Sequence, residues 1–292
     1  METTIRNDRL TVVCDSMGGE QRAITSEEGI EYLWNGDSRF WKGRAPTLFP
    51  FVGRLRNNRA QSAAGEIALP RHGLARTREW KVESADRHSV TYYLASDEET
   101  RKGYPYDFEM RIRHFVQEAS VTTAYDIRNT GTVPMPFCVG AHPGYRVPLD
   151  DRDSFEDYVV EFEYPETADC PQVNAADGLL IDSVRNRLLN DERSFRLNHV
   201  LFRGDALIFD RLKSRSVRVY SPKSGRGLRM DFEGFDYFGI WSSLADAPLI
   251  CLEPWTGTAT QESEDDIFEH KQGMRMLAPG EKAEYAFTVT VY

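Results

Sequence analysis

Between Trp80 and Asn129 the chain repeats one local pattern, a run of β-branched and aromatic residues followed by a turn signal, about every ten residues. The runs are Trp80 to Ser84, Ser89 to Ala95, Phe108 to Gln117 and Ser120 to Asn129, and Asn129-Thr130-Gly131 closes the last of them. Segments of this length and spacing predict an all-β sandwich or barrel. The same reading extends to both ends. Leu10 to Cys14 and Ile30 to Trp34 read as strands of a meander around Gly18-Gly19. Downstream, Met135 to Val139, Ala206 to Phe209, Val217 to Tyr220, Gly227 to Phe232, Tyr237 to Trp241, Leu249 to Leu252 and Ala283 to Val291 read as strands. Lys223-Ser224-Gly225-Arg226 and Ala278-Pro279-Gly280-Glu281 are turns. Residues 165–190 are polar and mixed, and read as a loop or short-helix excursion. The acidic run Gln261 to Asp266 reads as a solvated loop. The segment Trp41 to Arg54, with Pro46 and Pro50, reads as a structured loop, because proline disfavours both a helix interior and a central strand. No linker, low-complexity tract or short repeat divides the chain, so one domain over residues 1–292 is expected.

A net charge of −10 and a pI near 5.2 disfavour non-specific binding to nucleic acid or anionic membranes, and leave neutral ligands such as sugars open. No apolar run approaches the roughly 18 residues of a membrane span. Met1-Glu2-Thr3-Thr4 lacks a basic n-region and an apolar h-region, which points to the cytoplasm. Cys14, Cys138, Cys170 and Cys251 have no C-x-x-C spacing and read as reduced thiols, with neither a zinc site nor a disulfide framework implied. The acidic surface suits a monomer or a weak homodimer equally.

Chemistry concentrates in a few contexts. Cys251-Leu252-Glu253-Pro254-Trp255-Thr256-Gly257 ends an apolar run, Ala247 to Leu252, with a lone carboxylate. Pro254 biases Glu253 toward extended backbone, so Glu253 is expected to end a strand and face a cleft. Burial against Trp255 and Leu252 would raise its pKa toward that of a general base; the alternative is an ion pair with an arginine. His142 in Gly140-Ala141-His142-Pro143-Gly144 also precedes a proline. His72 lies in Arg71-His72-Gly73, where Gly73 permits a positive φ. Arg54, Arg76 and Asp205 complete a set of candidate acids, bases and cationic donors in loops and at strand ends. His88, His114, His199 and His270 have no special neighbours and read as structural. Trp34, Trp41, Trp80, Trp241 and Trp255 read as core, given how much area an aromatic side chain buries. G-x-S-x-G, Walker and H-E-x-x-H motifs are absent from the sequence, which removes the commonest hydrolase, phosphotransferase and zinc-protease readings.

Four segments, W-K-G-R-A-P-T-L-F-P-F-V-G-R (Trp41 to Arg54), R-H-G-L-A-R (Arg71 to Arg76), G-A-H-P-G-Y (Gly140 to Tyr145) and C-L-E-P-W-T-G (Cys251 to Gly257), resemble in this order the aldose 1-epimerase (galactose mutarotase-like) family and its LacX-like branch. The resemblance implies a single large antiparallel β-sandwich of the galactose-mutarotase type, a cleft on one sheet face, a sugar substrate, and no cofactor or metal for the chemistry. By similarity, Glu253 corresponds to the general base at the anomeric hydroxyl and His142 to the general acid at the ring oxygen. His72 and Arg54 correspond to hydroxyl-binding residues. Asp205, in Gly204-Asp205-Ala206, corresponds more loosely to a sugar-binding aspartate, and Arg76 and Trp255 complete the expected substrate-binding set. Acid and base contributions of roughly 10² to 10⁴ each suffice for a reaction that already proceeds in water. The branch commonly has an aspartate just after E-P-W-x-G, where this chain has Thr258-Ala259-Thr260, so hydroxyl contacts are expected to differ there.

Three alternatives compete with an aldose 1-epimerase acting on a free hexose. A hexose-6-phosphate 1-epimerase would need a cationic pocket, for which Arg44, Arg56, Arg59 and Arg76 are the candidates. A sugar-binding or sensor module would keep the fold without the reaction. A glycosidase would need two well-placed carboxylates, and only Glu253 stands in a strong site context.

Overall fold

Period-two burial builds the larger of the two main sheets. In Phe108–Gln117 the side chains of Phe108, Met110, Ile112, His114 and Val116 are buried, and in Ser120–Asn129 those of Val121, Thr123, Tyr125, Ile127 and Asn129. Every second residue therefore points to one core, as a sheet with one solvated face requires. In the computed structural model, which describes residues 1–243 and 246–292, these strands belong to a nine-stranded antiparallel sheet. Its order is Leu180–Arg196, Val159–Val173, Ser216–Tyr220, Gly227–Asp231, Lys282–Val291, Ser120–Asn129, Phe108–Gln117, Ser89–Ala95 and Lys81–Ala85. Glu2–Arg6, Leu10–Asp15 and Glu20–Ser26 form a separate three-stranded sheet.

The second main sheet carries the site. Its six strands are Leu207–Phe209, Tyr237–Trp241, Leu249–Trp255, Gly140–Ala141 and Thr47–Leu48 in that order, with Gly144–Arg146 also paired to Leu249–Trp255. All seven residues of Leu249–Trp255 are buried, which is why this stretch reads as a continuous apolar run. Ile250 and Leu252 join Phe238 and Ile240 in the main core between the sheets. Cys251, Glu253 and Trp255, two residues apart, share the opposite face. The fold is all-β, with two large antiparallel sheets enclosing one core. Among the described residues the only α-helix is Glu98–Arg101, capped by Asp97 accepting from the Thr100 amide. No helix there is long and apolar enough to cross a membrane.

Three segments depart from the sequence reading. Glu253 does not end its strand: Phe238 pairs with Pro254, and Trp255 pairs with both Tyr237 and Gly140. Proline keeps the extended φ and gives up one ladder donor, so pairing continues past it. Ile30 to Trp34 makes only isolated bridges, from Glu31 to Thr25 and from Leu33 to Tyr145. Residues 165–190 form no loop excursion; they lie in the long hairpin Val159–Val173 and Leu180–Arg196, with four register shifts. Much of Leu180–Arg196 is exposed, so no buried face imposes alternation on its sequence. The backbone ladder and ion pairs such as Arg185–Asp169 hold it instead.

Candidate active site

A cleft of about 290 Å³ opens on the outer face of the six-stranded sheet. Its lining includes Glu253, His142, His72, Asp205, Arg76 and Trp255, six of the seven residues expected from the sequence. Arg54 is not among the lining residues. Its side chain packs over Gly178 at the cleft edge, and its charge still bears on His72. Arg71 lines the cleft in its place, together with Trp41 and Trp241.

Glu253 is 2% exposed, and its Oε2 lies 3.4 Å from Nε2 of His142, itself only 8% exposed. Burial pushes the Glu253 carboxyl well above the usual carboxylate range; Arg71 partly opposes this and Asp205 reinforces it. Leu252, expected beside the carboxylate, faces the main core, and Gly239 is the residue opposite Glu253 in the ladder. Burial, with help from Arg71, pulls His142 down to about 3. The low-dielectric site resists net charge on either group, so the pair holds one proton between them near neutrality. Trp41 stacks on the His142 ring with centroids 4.8 Å apart, and Trp241 meets its edge at 5.9 Å. These two tryptophans fix the imidazole plane, while Trp34 and Trp80 are core residues at 3% and 2% exposure.

The Arg71-His72-Gly73 turn supplies the other side of the cleft. His72 and Gly73 are both left-handed, with φ of 69° and 73°. A Cβ at residue 73 would lie 2.2 Å from the Phe49 carbonyl oxygen, so only glycine fits that approach. The Gly53 amide donates to Nδ1 of His72, and the His72 amide donates to the Gly53 carbonyl. Nδ1 is thus an acceptor. Burial and the surrounding positive charge of His142, Arg71, Arg76 and Arg54 keep this ring well below the ordinary histidine range. Nε of Arg71 donates to Nε2 of His72 at 3.1 Å, which holds the guanidinium against the ring in the cleft lining. The remaining N–H groups of the guanidinium are the donors that a hydroxyl or carbonyl oxygen in the cleft can use. Asp205, at φ 81°, accepts from its neighbour Ala206 and stands 3.9 Å from Arg71 Nη2.

Trp255 forms the floor, and its indole fits because both neighbouring strands present glycine. A Cβ on Gly239 would come within 2.5 Å of the ring, and one on Gly140 within 2.6 Å. Its Nε1 is buried without a protein partner. Thr260 does not address the cleft: its hydroxyl accepts from Nζ of the buried Lys271. Among the arginines considered for a phosphate, Arg44 donates to the Arg22 carbonyl, Arg56 pairs with Asp266 and Arg59 with Glu66. Only Arg76 of those four lines the cleft, where it joins Arg71.

The four cysteines are free and buried. His114 is held by Gly19 and Thr123, His199 stacks on Phe155 and His270 pairs with Asp265, all outside the cleft lining. A volume near the lower end of small-molecule sites, a floor of aromatics and a rim of hydroxyl-competent donors together suit one sugar ring.

A sequence model described as aldose 1-epimerase matches residues 1–290. The chain is 36% identical over 297 residues to the plasmid-borne protein LacX of Lactococcus lactis subsp. lactis, covering 100% of this chain and 99% of that one. It also matches a protein named as a candidate glucose-6-phosphate 1-epimerase of Escherichia coli (strain K12), at 27% identity over 58% of this chain and 63% of the relative. Among solved structures, a galactose mutarotase related enzyme from Lactobacillus acidophilus superimposes with a TM-score of 0.94 at 30% identity, over 100% of this chain and 97% of that one.

Proposed function

The chain belongs to the aldose 1-epimerase family, and from that premise we propose that it interconverts the α and β anomers of a free hexose by acid/base opening and reclosure of the ring. Residues 1–292 act in this reading as one domain. The observation that carries it is the buried His142–Glu253 pair, 3.4 Å apart at the base of the cleft. Ring opening takes one proton from the anomeric hydroxyl and gives one to the ring oxygen, so it needs two groups that trade a proton without net change. With the shared proton on His142, Glu253 accepts from the anomeric hydroxyl and His142 donates to the ring oxygen. The aldehyde forms, the C1–C2 bond rotates, and the pair is left as neutral imidazole and carboxylic acid. Reclosure on the other carbonyl face runs the two transfers backwards. The two protonation forms are thus the two halves of one cycle. His72, Arg71, Asp205 and Arg76 bind hydroxyls, Trp255 carries the sugar ring, and Arg54 acts from behind as part of the positive field on His72.

A second reading is favoured by Arg71 and Arg76, which both line the cleft, Arg71 with Asp205 at 3.9 Å. That pair suits a phosphorylated hexose. Polarimetry with freshly dissolved α-D-glucose and α-D-galactose tests the first reading. Faster relaxation to the unchanged final rotation, lost in Glu253→Gln and His142→Asn, is expected. A kcat/KM higher for glucose 6-phosphate than for glucose, and selectively reduced by Arg71→Ala and Arg76→Ala, would replace the first reading by the second. Inactivity on both with measurable sugar binding would leave a binding module.

A further inference from the structure

Cys251 has no part in anomer exchange, yet its thiol lies in the same cluster as the acid/base pair. A ring nitrogen of His142, Sγ of Cys251 and a carboxylate oxygen of Glu253 all lie within 4.8 Å of one another. The spacing follows from the fold: Cys251 and Glu253 are alternate residues on one face of a strand, and His142 leaves the adjoining strand Gly140–Ala141. We propose that this cluster is a binding site for a borderline-soft divalent cation, Zn²⁺ above all, which excludes sugar from the cleft when bound. The inhibitory part rests on the proposed epimerase activity; the binding part does not.

One edge of the cluster already has the length such an ion needs, and the thiol must turn toward the other two donors to close the rest. Around tetrahedral zinc with bonds of about 2.0–2.1 Å to nitrogen and oxygen, the N···O edge is about 3.3 Å. The His142 Nε2 to Glu253 Oε2 separation is 3.4 Å. Thiolate bonds of about 2.3 Å make the edges to sulfur slightly longer. One nitrogen, one sulfur and one oxygen donor select zinc, cobalt or cadmium over magnesium and calcium, which take oxygen ligands. A fourth position faces the cleft, where water completes the tetrahedron. Arg71 and Arg76 act against a cation at this cluster and Asp205 acts for it, so the charge of the ligands themselves must hold the ion. Binding displaces the thiol proton of Cys251 and the proton shared by His142 and Glu253. Affinity therefore rises with pH.

Titration of the purified chain with Co²⁺ reads the site without any turnover. A near-ultraviolet thiolate-to-cobalt absorption that saturates at one equivalent, is displaced by Zn²⁺ and is lost in Cys251→Ala is the expected result. In the polarimetric assay Zn²⁺ should raise KM with kcat unchanged, and Cys251→Ala, with its activity retained, should need at least tenfold more Zn²⁺ for half inhibition. No cobalt–thiolate band in the folded wild type, or an equal band in Cys251→Ala, overturns the proposal. A band with the expected cysteine dependence in a protein inactive on every sugar keeps the metal site and overturns the epimerase reading.

Discussion

Gly239→Ala is the sharpest test of how the sheet positions the acid/base pair. Gly239 is paired directly opposite Glu253, and its Cα hydrogen faces the edge of the Trp255 indole. A methyl group there would lie 2.5 Å from Cη2 and 2.6 Å from Cζ2 of Trp255, and 3.3 Å from Cβ of Glu253. Carbon atoms rest about 3.5–4.0 Å apart, so something must yield by about 1 Å. The indole cannot slide away along the sheet, because Gly140 on the far strand already approaches it to the limit that a hydrogen allows. The ring must lift into the cleft or the two strands must part, and either motion carries Glu253 relative to His142. Overpacking of this kind costs about 1–3 kcal/mol, or roughly 2–4 °C in Tm per kcal/mol for a chain of this size. A misplacement of about 1 Å in a reacting group costs about a hundredfold in rate. Polarimetric kcat and thermal melting of Gly239→Ala are the assays, with Gly204→Ala as the control because a Cβ there meets nothing within 4 Å. A kcat within twofold of wild type, with Tm also unchanged, would refute the claim that close approach at Gly239 sets the position of Glu253.

With burial holding His142 down at about 3, its imidazole should not titrate near the ordinary value of 6.5, and its ring signals followed by NMR from pH 5 to 8 should stay fixed. A ring signal that titrates at pH 6 to 7 and is absent from His142→Asn would contradict that account. His114 predicts the acid side of stability. Burial lowers it from 6.5 to about 4, so between those values the unfolded chain takes up a proton that the folded chain refuses, and stability falls as pH falls. The gap is worth about 3 kcal/mol once pH drops below 4, and urea unfolding between pH 7 and 4.5 should lose one proton of pH dependence in His114→Gln. Lys271, 4% exposed, donates to the Thr258 carbonyl and the Thr260 hydroxyl and lies 3.6 Å from Glu264. Lys271→Met should cost roughly 3 kcal/mol or more, with part of the loss recovered in a double variant with Glu264→Gln. Urea titration of the three proteins measures it.

The strands were legible wherever one face is buried and the other wet. Ser89–Ala95, Phe108–Gln117 and Ser120–Asn129 have the bounds that alternation predicts, because a one-residue slip there would expose the core set. The same rule explains the failure at 165–190. In Leu180–Arg196 only Leu180 and Leu189 are buried, so the sequence carries no period to read, and bulges break what little remains. Which strands share a sheet is also set at long range. Tyr237–Trp241 and Gly140–Ala141 flank the Glu253 strand from positions about 15 and 110 residues away in sequence, and no local pattern encodes that choice.

The candidate site divides along the same physical line. Cys251, Glu253 and Trp255 share a face because a strand has period two, and once the strand is known the grouping follows from residue number alone. In an extended strand Arg71 and His72, as neighbours, would face opposite ways, and Arg54 is expected beside His72 from the family resemblance alone. The turn cancels that rule. With His72 and Gly73 both left-handed, the backbone curls back on Phe49 and brings the Arg71 and His72 side chains to one side, 3.1 Å apart. Gly73 signals such a turn in the sequence, but a left-handed histidine before it has no signature, since histidine adopts that conformation only when its surroundings fix it. Here the fixing contact is the pair of hydrogen bonds exchanged with Gly53, and Gly53 is the residue next to Arg54. Gly53, rather than Arg54, thus holds the turn that delivers Arg71.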